Sequence, residues 1–198
     1  MEQLLEYDHE LFLYLNSLGT TTWDGLWLFI TNKLYSAPLY ALLLFLIYKK
    51  YGVKGAVITV LVVTAMIACT DQLANLFKHS IERPRPCSVE DWKGLMRFVA
   101  SRCGRYGYFS GHAANSMAAA IFAGLILKSK YKYVFFALLF WSSLVGYSRI
   151  YLGVHYPADV LTGWIIGGSI GYAFFRLQQF LIKKYTCLLY TSPSPRDS

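Results

Sequence analysis

Long apolar runs separated by short basic turns constrain this chain more than any other feature. Runs at 55–77, 111–127, 133–151 and 158–182 each approach the roughly 20 residues that cross a bilayer as a helix. A further run at 23–48 is interrupted by Asn32, Lys33 and Pro38. It reads as one kinked span or as a short dip followed by a span. In hydrocarbon every backbone N–H and C=O must be satisfied within the segment, so runs of this length are expected to be helical. Charged residues make up 15% of the 198 residues, well below the ~25% of a soluble domain. The expected fold class is therefore all-α: a polytopic membrane helix bundle of about five to six transmembrane helices.

Residues 1–20 read as an amphipathic helix too polar to span. Leu4, Leu5, Leu11, Phe12 and Leu15 share a broad face that the acidic residues mostly avoid. Such a segment is expected to lie in the interface, with His9 on its surface. No basic stretch precedes an apolar one at the start, so insertion is expected to depend on the spans themselves and not on a secretory signal. Beyond Tyr185 the chain turns small, polar and proline-bearing (Thr191-Ser192-Pro193-Ser194-Pro195), which is expected to be disordered or non-native. The expected organisation is an interfacial helix at 1–20, a membrane domain at 21–185 and a tail at 186–198.

The formal net charge of +8 raises nucleic-acid binding. The lysines and arginines sit between apolar runs, however, and not along one helix face, which fits membrane-flanking charge and excludes a nucleic-acid partner. Tyr and Trp gather near the ends of the runs, as an interfacial belt requires. Counting spans puts Lys49, Lys50, Lys54, Lys128, Lys130, Lys132, Lys183 and Lys184 on one side. The 78–109 loop and the 152–157 link fall on the other. The positive-inside rule makes the basic turns cytoplasmic, although the opposite loop also carries Lys78, Arg83, Arg85, Lys93, Arg97, Arg102 and Arg105. Gly163, Gly167 and Gly171 lie on one face of the last run, a spacing for close helix packing. Cys69 sits in an apolar run and is expected to be a small core residue. Cys87 and Cys103 share the polar loop, as a disulfide or as two free thiols according to its compartment. Cys187 is assigned no role.

Ionisable groups are costly in membrane segments, so their positions are informative. They collect at run ends on the loop side: Lys78 and Arg85, then Ser110-Gly111-His112, then Ser148-Arg149, then His155 and Asp159. Lys78, Arg85 and Arg149 suit a tetrahedral dianion, arginine by its bidentate fork. Ser110 and Gly111 bring a hydroxyl and an accessible backbone N–H to a helix start, where anions are favoured. His155 and Asp159 are four apart and share a helix face. Asp159 would hold one ring nitrogen and leave the other as a nucleophile, with His112 as general acid and then base. Glu82, Glu90 and Asp91 lack ligand-like spacing, so neither a metal nor any other cofactor is expected. Asp71 and Asn75 precede Lys78 at helical spacing, and Asn115 and Ser116 lie one turn from His112. They are expected to line the same cleft or support it.

Lys78, six residues, then Arg85-Pro86; Ser110-Gly111-His112; and Ser148-Arg149, five residues, His155, three residues, Asp159: in this order the chain resembles the type 2 phosphatidic acid phosphatase (PAP2) superfamily over roughly residues 20–182. The resemblance implies a helical membrane enzyme hydrolysing phosphate monoesters or diphosphates without metal. It implies His155 as nucleophile, Asp159 as its partner, His112 as acid and base, and Lys78, Arg85, Ser110, Gly111 and Arg149 as phosphate-binding residues. Phe109 stands where the family's second motif commonly has proline, which is expected to alter only the local loop. The six-residue spacing selects Arg85 over Arg83, and leaves Arg83 as an assistant in substrate binding. Undecaprenyl diphosphate, lipid A phosphates, phosphatidylglycerol phosphate and phosphatidic acid remain equal candidates. A lipid phosphotransferase using the same histidine and a phosphate-binding or transport protein are the alternatives.

Overall fold

A computed structural model describes residues 2–187 of the chain. The expectation of a disordered tail falls from residue 188 onward outside the described residues. The helices are α1 (Glu2–Ser17), α2 (Thr21–Thr31), α3 (Ala37–Ile81), α4 (Gly111–Leu127), α5 (Val134–Tyr151) and α6 (Pro157–Cys187), with no strand among the described residues. Helices α3, α5 and α6 are long and apolar enough to cross a membrane, and α4 is a shorter apolar helix.

The interrupted run at 23–48 resolves as a short helix and then a span. α2 stops at Asn32, whose side-chain Oδ1 accepts from Leu34 N at 2.9 Å. Pro38 lies in the first turn of α3, where its missing N–H removes no helical bond. α3 itself is two arms, because Gly52 has φ 69° and ψ −170°, a conformation that glycine adopts freely and other residues do not. On a straight helix Tyr40 and Met66 would lie about 39 Å apart. Instead Tyr40, Leu43 and Ile47 line one cavity together with Met66, Val63 and Thr59. The chain therefore reverses at Gly52, and the arms 37–51 and 53–81 run side by side.

α4 is the central helix. Ala113, Ala114, Ala118, Ala120, Phe122, Ala123, Ile126 and Leu127 are all buried along it. Its small side chains let α6 approach closely. A Cβ added at Gly163, Gly167 or Gly171 would fall on the backbone carbonyls of Ser110, Ala114 and Ala118 in turn. The glycine stripe thus makes the packing contact its spacing predicted. At one end of the bundle the Lys50 ammonium donates to Ser129 Oγ at 2.8 Å and to the Ile126 carbonyl. Gly55 faces Ile182 at that same end. The basic turns therefore cluster together, and the 82–109 loop and the 152–156 link occupy the opposite end.

Two expectations, for Cys69 and His9, are corrected. Cys69 is exposed on the outer face of α3, not in the core, since an apolar span buries only one of its faces against protein. α1 keeps most of its leucines facing outward, as a helix lying in the interface would. Asp8, Phe12 and Asn16 form its buried stripe, while Leu4, Leu5 and Leu11 are exposed. An acidic residue can take that inner position because Arg83 pairs with it there. His9, expected at the surface, lies half-buried between Trp92 (5.2 Å between ring centroids) and Tyr156 (4.9 Å).

Candidate active site

The loop after α3 sets the position of the first cations. Arg85 N donates to Arg105 O (3.2 Å) and Gly107 N to Arg83 O (2.9 Å), and Pro84 bridges Tyr106, so the loop folds back as an irregular hairpin. A disulfide joins Cys87 to Cys103 across it. Arg85 Nε donates to the Tyr106 carbonyl (2.9 Å), which aims the guanidinium past Gly104 and Gly107. Any side chain at Gly107 would press on Arg85, on Asp159 Oδ2 and on His155 Nδ1. That glycine makes room for the Arg85–His155–Asp159 group.

Ser110 caps the N-terminus of α4. Its Oγ accepts from Ala113 N (3.5 Å) and its own N–H donates to the Asp159 carbonyl (3.0 Å), tying the start of α4 to the start of α6. Gly111 follows, and a Cβ there would lie 4.0 Å from the Lys78 ammonium. Lys78, Gly111 and the free N–H groups of the first turn of α4 thus share one corner, the arrangement of a helix-terminus anion site. Phe109, in place of the expected proline, is fully buried against Phe77 (5.5 Å).

Arg149 lies in the last turn of α5, and its carbonyl accepts from both Val154 N (3.1 Å) and His155 N (3.3 Å). Gly153, at φ 76°, permits this tight link, since a Cβ there would fall 2.6 Å from the Arg97 carbonyl. The Arg149 guanidinium donates through Nη1 to Thr31 Oγ1 at the end of α2, and its Nε is buried with no protein partner. Sequence reasoning gave no role to Thr31. The polar break at Asn32-Lys33 inside an apolar run was its only trace.

His155 is 2% exposed and Asp159 is fully buried. His155 Nδ1 lies 3.3 Å from Asp159 Oδ2, which also accepts from Tyr156 N at 3.1 Å. Asp159 Oδ1 accepts from Arg83 Nη1 at 2.8 Å. Burial pulls the His155 imidazole down to about 4, with Asp159 opposing and the charges of Arg85 and Arg149 reinforcing. The ring is therefore neutral at neutral pH, with a lone pair available on Nε2 once Nδ1–H is held by the carboxylate. His112 feels the charges of Arg149, Lys33, His155 and Arg85. Residues from α3, the loop, α4, α5 and α6 thus meet at one end of the bundle, as the sequence predicted.

The remaining predicted residues divide. Asn115 Nδ2 donates to Asp71 Oδ1 at 2.7 Å, joining α4 to α3 two turns before Lys78. Ser116 is buried on Ser142 (2.9 Å), and Asn75 is exposed. Arg83, expected to assist substrate binding, instead joins Asp159 to Asp8. Lys33, unassigned from sequence, lines the mouth of a cavity of about 390 Å³ together with His112, Thr31 and Asn115. Deeper in, between the two arms of α3, α4 and α5, the walls are Leu43, Ile47, Val63, Met66, Phe122 and Val145.

The chain matches the family model described as "PAP2 superfamily" over residues 55–183. It is 32% identical to a lipid A 4'-phosphatase of Bacteroides thetaiotaomicron, over 96% of this chain and 83% of the relative. It is 33% identical to a lipid A 4'-phosphatase of Porphyromonas gingivalis (89% and 75%) and 29% identical to an undecaprenyl-diphosphatase of Sulfolobus acidocaldarius (86% and 78%). Among solved structures, a PAP2-type phosphatidylglycerolphosphate phosphatase of Bacillus subtilis shares the fold, with TM-score 0.71 at 20% identity over 93% of this chain and 89% of that one. LpxE of Aquifex aeolicus matches with TM-score 0.65 at 24% identity, over 84% and 93%.

Proposed function

Because this chain belongs to the PAP2 superfamily, we propose that it is an integral membrane phosphatase that takes the phosphoryl group from a membrane lipid through His155. The observation that carries this reading is one juxtaposition. A buried, neutral imidazole held by Asp159 lies among Lys78, Arg85 and Arg149, and His112 sits beside them at the mouth of an apolar cavity. The cations would bind the phosphate oxygens and stabilise the charge that spreads over them in the transition state. His155 Nε2 attacks phosphorus, the P–N bond forms, and the bond to the lipid oxygen breaks as His112 donates a proton to that oxygen. His112 then takes a proton from water, whose oxygen attacks phosphorus. The P–N bond breaks and inorganic phosphate leaves. The arginines and lysine supply the electrostatic work that a metal supplies in other phosphatases, so the reaction proceeds with chelator present.

The substrate class we favour is a phosphorylated saccharolipid of the lipid A type. Two relatives bearing the name lipid A 4'-phosphatase match most of this chain at 32% and 33% identity. Undecaprenyl diphosphate is the second reading, favoured by the archaeal relative. The apolar cavity below His112 suits a lipid tail in both cases. We place the site on the outer face of a bacterial inner membrane, because the site end carries the Cys87–Cys103 disulfide and the opposite end the basic turns.

The test is phosphate release from purified lipid A, undecaprenyl diphosphate, phosphatidylglycerol phosphate and phosphatidic acid in detergent with EDTA. Wild type is expected to release phosphate from lipid A fastest, and His155→Ala to release none. Turnover by His155→Ala at the wild-type rate, or activity restored only by zinc or magnesium, would overturn the proposal.

A further inference from the structure

Arg83 lies outside the phosphate-facing group, yet it is tethered to two different carboxylates and to an aromatic ring. Its Nη1 donates to Asp159 Oδ1 at 2.8 Å, its Nη2 to Asp8 Oδ2 at 2.6 Å, and its guanidinium lies 4.1 Å from the centroid of the Tyr156 ring. Asp8 belongs to α1, 75 residues away in sequence. Its second oxygen accepts from Ala158 N at 2.8 Å, at the start of α6. Asp8, Arg83, Asp159 and His155 therefore form one continuous chain of charged hydrogen bonds, running from the N-terminal helix to the imidazole. Every contact in it is buried or nearly so: the side chains of Arg83, Asp8 and Asp159 are 13%, 9% and 0% exposed.

Resting on the phosphatase reading above, we propose that Arg83 is a positioning residue for the His155–Asp159 pair, and that Asp8 makes the docked α1 part of the catalytic apparatus. Asp159 Oδ2 serves His155 and Tyr156 N, and among the described residues Arg83 holds the other oxygen, Oδ1, so it limits the carboxylate's rotation from the far side. A single fork can do so firmly only if its other prong is also held, and Asp8 holds it. Asp8 is held in turn by the Ala158 amide, and α1 by the buried Phe12 and Asn16. Asn16 donates to the carbonyls of Arg97, Ile150 and Tyr151, and accepts from Arg97 N. Asp8 lies outside the residues that the family model matches, so this anchor is a feature of the chain beyond the shared core. A buried ion pair of this kind contributes little to stability compared with apolar packing, but removing one member leaves a buried charge unpaired.

The test uses the full-length chain in detergent, with lipid A as substrate and orthovanadate as a second probe that needs no lipid. Arg83→Gln is expected to lower kcat about 10- to 100-fold, the usual range for losing a partner that orients a functional histidine, with KM changed much less. The acid limb of kcat/KM should move to higher pH. Loss of one cation lets His155 protonate more readily, against the remaining charges of Arg85 and Arg149, with His112, Asp8, His9 and Tyr156 packed around it. Vanadate binding should weaken in parallel. Arg83→Lys should recover part of kcat, Asp8→Asn should lower it less than Arg83→Gln, and the double variant should lose less than the product of the single losses. Glu10→Gln, on the exposed face of α1, should match wild type. If Arg83→Gln does not fold, Asp8→Asn and Arg83→Lys carry the same comparison. Folded variants with wild-type kcat and an unmoved acid limb would overturn the positioning role. A wild type without phosphate release, or an active His155→Ala, would instead overturn the phosphatase reading itself.

Discussion

His155 combines two demands that usually conflict. A nucleophile must be neutral at working pH, and it must also be held by a carboxylate that favours its protonated form. Here burial wins, helped by Arg85 and Arg149, and the imidazole is pulled down to about 4 while Asp159 still fixes its tautomer. Two outcomes follow for the free enzyme. The enzyme's own acid limb in kcat/KM is expected near pH 4, well below the ~6.5 of an ordinary histidine, once the limb from substrate ionisation is subtracted. Asp159→Asn is expected to keep its bond to Tyr156 N but to lower kcat by about 10⁴, as loss of the orienting carboxylate does in other triads. An enzyme limb near 6.5, or an Asn variant within tenfold of wild type, would show that the pair does not work this way. At this scale the sequence was largely legible, because costly ionisable groups at span ends have few reasons to be there. Arg83 and Asp8 were not legible. Nothing in a one-dimensional pattern says that an acidic residue on a surface-like helix meets an arginine 75 residues on.

At the scale of elements, the contact between α4 and α6 fixes the distance from Ser110 and His112 to His155 and Asp159. The glycine stripe controls that contact, and its members differ from their neighbours in a way that can be measured. A Cβ at Gly167 meets the Ala114 backbone, which cannot yield, whereas at Gly168 it meets only the Met117 and Ile121 side chains at 3.6 and 3.9 Å. Gly167→Ala is therefore expected to destabilise by more than the ~1–3 kcal/mol of ordinary overpacking. Gly168→Ala should be neutral or gain up to about 1 kcal/mol from helix propensity. Thermal unfolding in detergent distinguishes them, and equal shifts for both would contradict the packing described here. The stripe was readable from its spacing of four. The reversal at Gly52 was only half readable, since the lysines around it mark a turn, while Asn32 and Pro38 left the start of the span open. The leucine face of α1 was readable from its pattern, but its inner stripe of Asp8, Phe12 and Asn16 was not, because two of those three residues are polar and are buried only through long-range partners.

For the whole molecule, the open question was which way the bundle faces, because cations occur at both ends. The structure changes how those cations count. At the site end Arg83 pairs with Asp8 and Asp159, Arg97 with Asp24, and Lys93 with Glu90. Lys78, Arg85 and Arg149 are gathered at the anion site with Lys33 nearby, and Arg102 and Arg105 lie in the loop without a carboxylate partner among the described residues. At the other end lie Lys49, Lys50, Lys54, Lys128, Lys130, Lys132, Lys183 and Lys184, and no Asp or Glu occurs between residues 25 and 70, 92 and 158, or 160 and 187. Every carboxylate of the described residues thus sits toward the site end. The positive-inside rule, applied to the eight lysines that no carboxylate offsets at the far end, supports the orientation proposed above. The disulfide at the site end supports the same orientation, since thiols stay reduced in the cytoplasm. Labelling of intact cells with a membrane-impermeant maleimide tests this directly. A cysteine introduced at Ser129, beside Lys50, is expected to react only after the membrane is opened, and one at Ser101 in the loop to react without opening it. Alkylation under non-reducing conditions should leave Cys87 and Cys103 unmodified. The reverse labelling pattern would turn the molecule over, and with it the leaflet from which a lipid phosphate must enter.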